Sequence, residues 1–340
     1  MSEIKKQKTF DPSISLIKLL AMFLIIQSHA DKLFPTNIAF LATGGALGNE
    51  LFFLVGGALY SAKKDIVETT YKRFIRLYVP TYIMTSILYI FGVIPINDLN
   101  TVKEIVYRLI WPTSFWFVSA FFFDGIILHL LINQDVFINK RKLLCLSMFY
   151  ILSSVLVYIL CVSPKNIWIV EDFKFFDGML YYKCFYSFFV FCLGFFLKEN
   201  QKKYADMVKP TYAALIALLS FFCFYGFKLL LNKGIVPMDL QILSQAITVI
   251  CVVYIYLWIT NTSSIKRWLL KSEKRSSAIN KLGSITLESF LVQFELIGAI
   301  STLKIPFPIN YIFAIITIVL AAYIFKAIDQ KICDYIVNKL

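Results

Sequence analysis

The stretch SISLIKLLAMFLIIQSHA, residues 13–30, decides how the whole chain is read. It is an apolar run long enough to cross a bilayer, yet it carries Lys18 near one end and His29 near the other. Eleven helical steps overshoot three full turns by only about 20°, so both side chains lie on one face, roughly 16 Å apart along the axis. Ionisable groups are costly inside a membrane, and a Lys and a His aligned on a spanning helix mark a candidate functional site. The plain alternative is that Lys18 reaches the headgroups while His29 sits at the opposite interface.

The composition generalises this reading to the whole chain. Of its 340 residues, 59% are hydrophobic and only 16% charged, with 33 Phe and 19 Tyr. A soluble domain carries about a quarter charged residues, so the expected fold is all-α, a polytopic membrane helix bundle. A span-length window predicts about ten transmembrane helices, at 13–33, 43–61, 74–94, 114–133, 143–162, 179–197, 211–231, 241–260, 284–303 and 308–328. The net charge of +13 does not call for nucleic acid, because the Lys and Arg residues alternate between loops. The first segment, alternate loops and tail hold 24 of them, the other loops and their margins hold 8, and Lys18 and Lys183 lie within spans. That alternation places both termini in the cytoplasm.

The chain reads as a single integral-membrane domain over 1–340, with a cytoplasmic segment at 1–12 and a cytoplasmic tail at 329–340. The basic N-terminus lacks a small-residue cleavage pattern, so the first span is read as uncleaved. The connections near 95–112 and 163–178 carry Trp111, Trp168, Phe173, Phe175 and Phe176 and suit the membrane interface. The basic loop 261–283 has room for a short surface helix. Seven Cys lie mostly in apolar runs without a Cys-x-x-Cys pair, which argues against a zinc or disulfide framework, and no metal site is expected.

Four further blocks carry polar groups. In GGALGNELFFLVGGALY, residues 44–60, the glycines permit close helix approach, and Asn49 and Glu50 add polarity. In KRFIRLYVPTY, residues 72–82, Arg73 and Arg76 stand three residues apart on neighbouring helical positions, a pair suited to phosphate or to simple anchoring. In WPTSFWFVSAFFFDGIILH, residues 111–129, Trp116 suits the interface, Asp124 needs a partner, and His129 lies toward the cytoplasmic end. In LGSITLESFLVQFEL, residues 282–296, Glu288 and Glu295 are seven apart and face one way, separated by about 10 Å. Two carboxylates in one span line a polar cavity or meet cations, Lys183 being one available partner.

Taken in order, these blocks resemble the acyltransferase 3 family of integral-membrane acyltransferases over roughly residues 13–295. The family's first-span Arg, ten residues and His is matched by Lys18 and His29. Its Phe-Phe-x-x-Ser-Gly block is similar to Phe52–Gly57, with Gly56 in place of Ser. Its basic entry to the third span is matched by Arg73, Arg76 and Pro80. Its Trp-Phe block looks like Trp116 and Phe117, and its late Tyr-Leu-x-His block corresponds to Phe290, Leu291, Val292 and Gln293.

The resemblance implies transfer of an acyl group, usually acetyl from acetyl-CoA, to a hydroxyl of a cell-envelope carbohydrate at the inner (cytoplasmic) membrane. Acyl-CoA is then a co-substrate, with no bound cofactor. His29 takes the catalytic position, and Lys18, Arg73 and Arg76 take the donor-binding positions. Ser28, Trp116, Glu288, Gln293 and Glu295 are the candidates for the acceptor or the oxyanion. Lys18 keeps the charge of the family's Arg but not its planar fork, and Gln293 replaces an ionisable His with a group that only hydrogen-bonds. Two other readings stay open: a transporter or flippase for a lipid-linked saccharide, and an inactive family member within a polysaccharide-assembly complex. Nothing in the sequence fixes the oligomeric state.

Overall fold

The computed structural model describes residues 11–61, 65–91, 115–133, 178–237 and 240–339, with a few positions between 147 and 156. The side chains of 178–185, and so Lys183, lie outside that description, as do the predicted span 143–162 as an element and the aromatic connections. Every described element is helical. They are α1 (Pro12–His29), α2 (Gly45–Ala58), α3 (Ile66–Ile90), α4 (Trp116–Asn133), α5 (Gly178–Glu199) and α6 (Gln201–Met207). After them come α7 (Pro210–Asn232), α8 (Gln241–Asn261), α9 (Ser263–Leu270), α10 (Glu273–Ser284), α11 (Thr286–Thr302) and α12 (Ile309–Lys339).

Five segments are long and apolar enough to cross a membrane: Pro12–His29, Ala39–Ala58, Pro210–Asn232, Gln241–Asn261 and Ile309–Asn338. A sixth arises if α10 and α11, bent by 61° at their junction, count as one span. The outer faces agree with a lipid environment. On α7, Leu215, Leu218, Leu219 and Phe222 are exposed, and on α12 so are Ile312, Ile316, Leu320 and Ile324. A water-soluble protein rarely shows apolar faces of that extent. The chain is a multi-pass membrane protein.

Helix α1 lies at the centre, packed against α2, α10 and α11. Pro12 opens it at a position where its missing N–H costs nothing, and the Asp11 carboxylate accepts from Ser13 N at 2.9 Å. Its core face runs through Ile14, Ile17, Ala21, Met22, Ile25 and Ile26, all buried. Just past its C-terminal end, Asn310 Nδ2 donates to Leu33 O at 2.8 Å, tying α12 to the turn that follows His29.

Glycine sets the spacing around α2. A Cβ on Gly48 would come within 2.7 Å of Ala21 O on α1. On the other side, a Cβ on Gly57 would overlap the Phe191 carbonyl, and one on Gly194 the Leu54 carbonyl, so α2 and α5 touch backbone to backbone. The glycine-rich block is therefore a packing device in a membrane bundle, one of the two uses its sequence allowed.

Two boundaries moved. Helix α3 starts at Ile66 rather than 74, because Asp65 caps it by accepting from Glu68 N at 3.0 Å and its first turns carry charge that no hydropathy window admits. The tail predicted at 329–340 instead continues α12 to Lys339, with Asp329 buried inside it. The basic loop 261–283 folds into two helices, α9 and α10, rather than one. There the Arg275 guanidinium lies 4.4 Å over the Trp268 ring and donates to Trp268 O at 2.6 Å.

Candidate active site

His29 is the last residue of α1, half-buried, with its ring centroid 4.4 Å from that of Phe294 on α11. One turn earlier on the same face come Ile25 and Ile26, then Met22, then Lys18, so the face between the two ionisable groups is apolar. Met22, Ile25 and Ile26 form one wall of a small cavity of about 10 Å³, closed by Phe52 of α2, Phe117 of α4, and Thr286, Phe290 and Gln293 of α11. Gln293 is completely buried, and among the described residues neither its Nε2 nor its Oε1 has a hydrogen-bond partner. Leaving a buried amide unpaired costs about 1–3 kcal/mol.

Three other candidates, Ser28, Trp116 and Glu295, are placed differently. Ser28 Oγ donates to Ile25 O at 2.7 Å, which commits its only proton to the backbone. Trp116 opens α4 and stacks on Phe53 with centroids 6.2 Å apart, while its neighbour Phe117 reaches the cavity. Glu295 is half-buried, one residue beyond the Phe294 that touches His29.

At the other end of the same face, Lys18 lies in the field of Glu288 and Lys326. Glu288 is buried and accepts from Lys326 Nζ at 3.0 Å, and the same ammonium donates to Ser284 O at 2.7 Å. The partner of Glu288 is thus Lys326 on α12, counted from sequence with the tail. Its placement in the apolar run AAYIFKAID, residues 321–329, was the signal that marked it as something other than a tail charge.

Arg73 and Arg76, paired in the sequence, part company in the fold. Arg76 is exposed. Arg73 turns into the bundle, where its Nη2 donates to Phe121 O at 2.6 Å and its guanidinium carbon lies 4.5 Å from the Phe121 ring centroid and 5.2 Å from that of Phe191. Asp124 on α4, the buried carboxylate that needed a partner, lies in its field, and Glu50 of α2 lies in the field of Asp124. Ser187 Oγ reaches Asp124 Oδ2 at 3.4 Å, and Tyr60 OH and His129 Nδ1 are 2.8 Å apart. Glu50 and Tyr60 were not singled out as members of such a cluster, because only the packing of α2 against α5 brings them to α3 and α4.

The bundle therefore has two polar interiors, one along α1 and α11 and one between α2, α3, α4 and α5. Among the described residues, no group of three or more His, Cys, Asp or Glu side chains is arranged to hold a metal ion. No curated protein and no solved structure matches the chain. The acyltransferase domain of acyltransferase family 3 matches residues 11–327, a stretch that contains both interiors and nearly every described helix. On that match, the chain belongs to the acyltransferase 3 family and is a membrane acyltransferase.

Proposed function

We propose that this acyltransferase moves an acyl group, acetyl in the first instance, from acyl-CoA to a hydroxyl of a cell-envelope polysaccharide or its lipid-linked precursor. In this reading the chain crosses the inner membrane about ten times, with both termini in the cytoplasm, as the alternation of Lys and Arg among the loops supports. Lys18 and the exposed Arg76 offer positive charge to the CoA phosphates at the cytoplasmic end. Arg73, turned toward Asp124, acts instead by holding α3 against α4. The single observation that carries the reading is the α1 face itself, which leads from Lys18 to His29 over a distance of roughly 16 Å, comparable with an extended pantetheine arm.

His29 is the general base. A neutral imidazole can accept a proton and return it within one catalytic cycle. It takes the proton of the acceptor hydroxyl as that oxygen bonds to the thioester carbonyl carbon. The tetrahedral oxyanion then collapses, the carbon–sulfur bond breaks, and the departing CoA sulfur takes the proton back from His29. No serine elbow is present in the sequence, so direct transfer needs no acyl-enzyme.

His29→Ala in intact cells tests this. Mass spectrometry of the surface polysaccharide is expected to show loss of one acyl group per modified unit at normal protein level. Retained acylation would overturn the role of His29, and movement of a lipid-linked saccharide without any CoA requirement would replace the enzyme reading with a carrier.

A further inference from the structure

The stretch between α8 and α11 takes no part in the mechanism above, and its composition sets it apart from the spans on either side. Residues 263–284 hold six Lys or Arg and one Glu, too much charge for the hydrocarbon of a bilayer. Helix α9 is nonetheless two-faced. Leu269 is buried and Ile265 packs against the core, while Trp268 and Leu270 are 51% and 64% exposed among Lys266, Arg267 and Lys271. Arg275 of α10 lies over the Trp268 ring and donates to Trp268 O, which holds the ring in place. An exposed Trp fixed beside cations suits the headgroup layer of a membrane, where its apolar body and its polar edge both find partners.

Helix α10 supplies the rest. Glu273, Ser277 and Lys281 follow one another at helical spacing and form a ridge with an open groove on each side. The first groove, about 630 Å³, adds Leu270, Ser276, Asn280 and Ser284 to that ridge. The second, about 500 Å³, adds Lys274, Ala278, Leu282 and Tyr323 of α12. Each is many times the roughly 30 Å³ share of one water molecule. Lys274 and Lys281 are both exposed and share a face of the helix, about 10 Å apart along its axis. In the first groove Asn280 Oδ1 is buried without a hydrogen-bond partner among the described residues. Buried polar atoms are overwhelmingly hydrogen-bonded, so this acceptor calls for a donor from a ligand. The second groove leads to the face of α12 where Leu320 and Ile324 flank Tyr323 and are exposed. The ligand therefore combines negative charge, a hydrogen-bond donor and an apolar body.

We propose that the α9–α10 surface seats an anionic phospholipid with a hydroxylated headgroup. The phosphate lies over the ridge, where Lys281 and the Ser277 hydroxyl donate to it and Lys274 adds positive charge. The headgroup hydroxyl enters the first groove and donates to Asn280 Oδ1. The acyl chains pass Tyr323 and run along the exposed face of α12, while Trp268 and Leu270 dip into the same leaflet. The phosphates of a free nucleotide would meet the same cations but would leave Trp268, Leu270 and Tyr323 uncovered. The cations supply affinity, and Asn280 supplies the choice of headgroup. This seat stands independently of the acyl-transfer reading.

Native mass spectrometry of the full-length protein in detergent tests this, with phosphatidylglycerol, phosphatidic acid or phosphatidylcholine added at matched concentrations. Wild-type protein is expected to bind phosphatidylglycerol most tightly, then phosphatidic acid, then phosphatidylcholine. Lys274→Gln with Lys281→Gln is expected to weaken phosphatidylglycerol binding by about 25-fold, about fivefold for each Lys facing an anionic headgroup. Asn280→Leu keeps every cation and is expected to lower the preference for phosphatidylglycerol over phosphatidic acid by about fivefold, the scale of one hydrogen bond. That ratio is internal to each preparation and does not depend on how much variant folds. Lys202→Gln with Lys203→Gln removes two exposed cations from α6, away from the grooves, and is expected to bind as wild type. Unchanged binding by the Lys274 and Lys281 variant, an equal loss in the α6 control, or an unchanged headgroup ratio in Asn280→Leu overturns the proposal. So does displacement of the lipid by an equal concentration of CoA, which would give the grooves to nucleotide phosphates.

Discussion

The α1–α11 seam and the pocket between α2, α3, α4 and α5 are equally buried, yet their polar groups are held by different partners. Gln293 and Glu288 in the first are 0% and 4% exposed, and Asp124 and Glu50 in the second are 3% and 5% exposed. Burial therefore does not separate them. In the pocket, Arg73 lies in the field of Asp124 and over the aromatic faces of Phe121 and Phe191, and Tyr60 pairs with His129. At the seam, Lys18, Glu288 and Lys326 gather at one end and Glu295 stands at the other, while the cavity between them is lined by apolar side chains, Thr286 and the Gln293 amide, which has no partner among the described residues. Neither interior is complete: Glu288 Oε2 and both Gln293 amide atoms at the seam, and Glu50 Oε2 and Arg73 Nε in the pocket, have no hydrogen-bond partner among the described residues.

The sharpest way to break this comparison is to remove the pocket's acid. Asp124→Leu removes the carboxylate whose field Arg73 occupies and is expected to cost about 4 kcal/mol, read as a lower melting temperature of the purified protein in detergent. An unchanged melting temperature would mean that the pocket is not structural. Next comes the helix contact that builds the pocket. Gly57→Ala drives a methyl into the Phe191 carbonyl across the α2–α5 interface, with an expected loss of about 3 kcal/mol and reduced accumulation in the membrane. Full accumulation would show that α2 and α5 can separate without loss.

The smallest effect is expected at the seam's charged end. Lys326→Met takes the hydrogen-bonded cation from Glu288, but Lys18 stands nearby and the Lys326 side chain is 27% exposed. The expected destabilisation is about 1–2 kcal/mol, checked by the same melting measurement. A loss as large as that of Asp124→Leu would make the two interiors alike and undo the distinction.

Much of this was legible in the order of residues. Helix positions followed from apolar runs, because a span must bury its backbone in its own hydrogen bonds whatever its neighbours do. The facial alignment of Lys18 and His29 followed from helical period alone. The start of α3 was not legible, because its first turns are charged and are held by a cap rather than by hydropathy. Nor was the split between Arg73 and Arg76. Three residues apart, they differ by about 60° around the helix axis, and the packing of α4 against α3 decides which of them turns inward.

The sequence by itself determined that the chain is a helical membrane protein, that its first span carries an aligned Lys and His, and that its blocks follow the order of an acyltransferase family. Those properties depend on composition and on the periodicity of single helices. Only the tertiary structure decided that Glu288 is answered by Lys326, that Asp124 lies in the field of Arg73, and that Gln293 has no partner among the described residues. Each is a relation between helices far apart in the chain, fixed by where glycines let backbones touch and where aromatic side chains hold them apart.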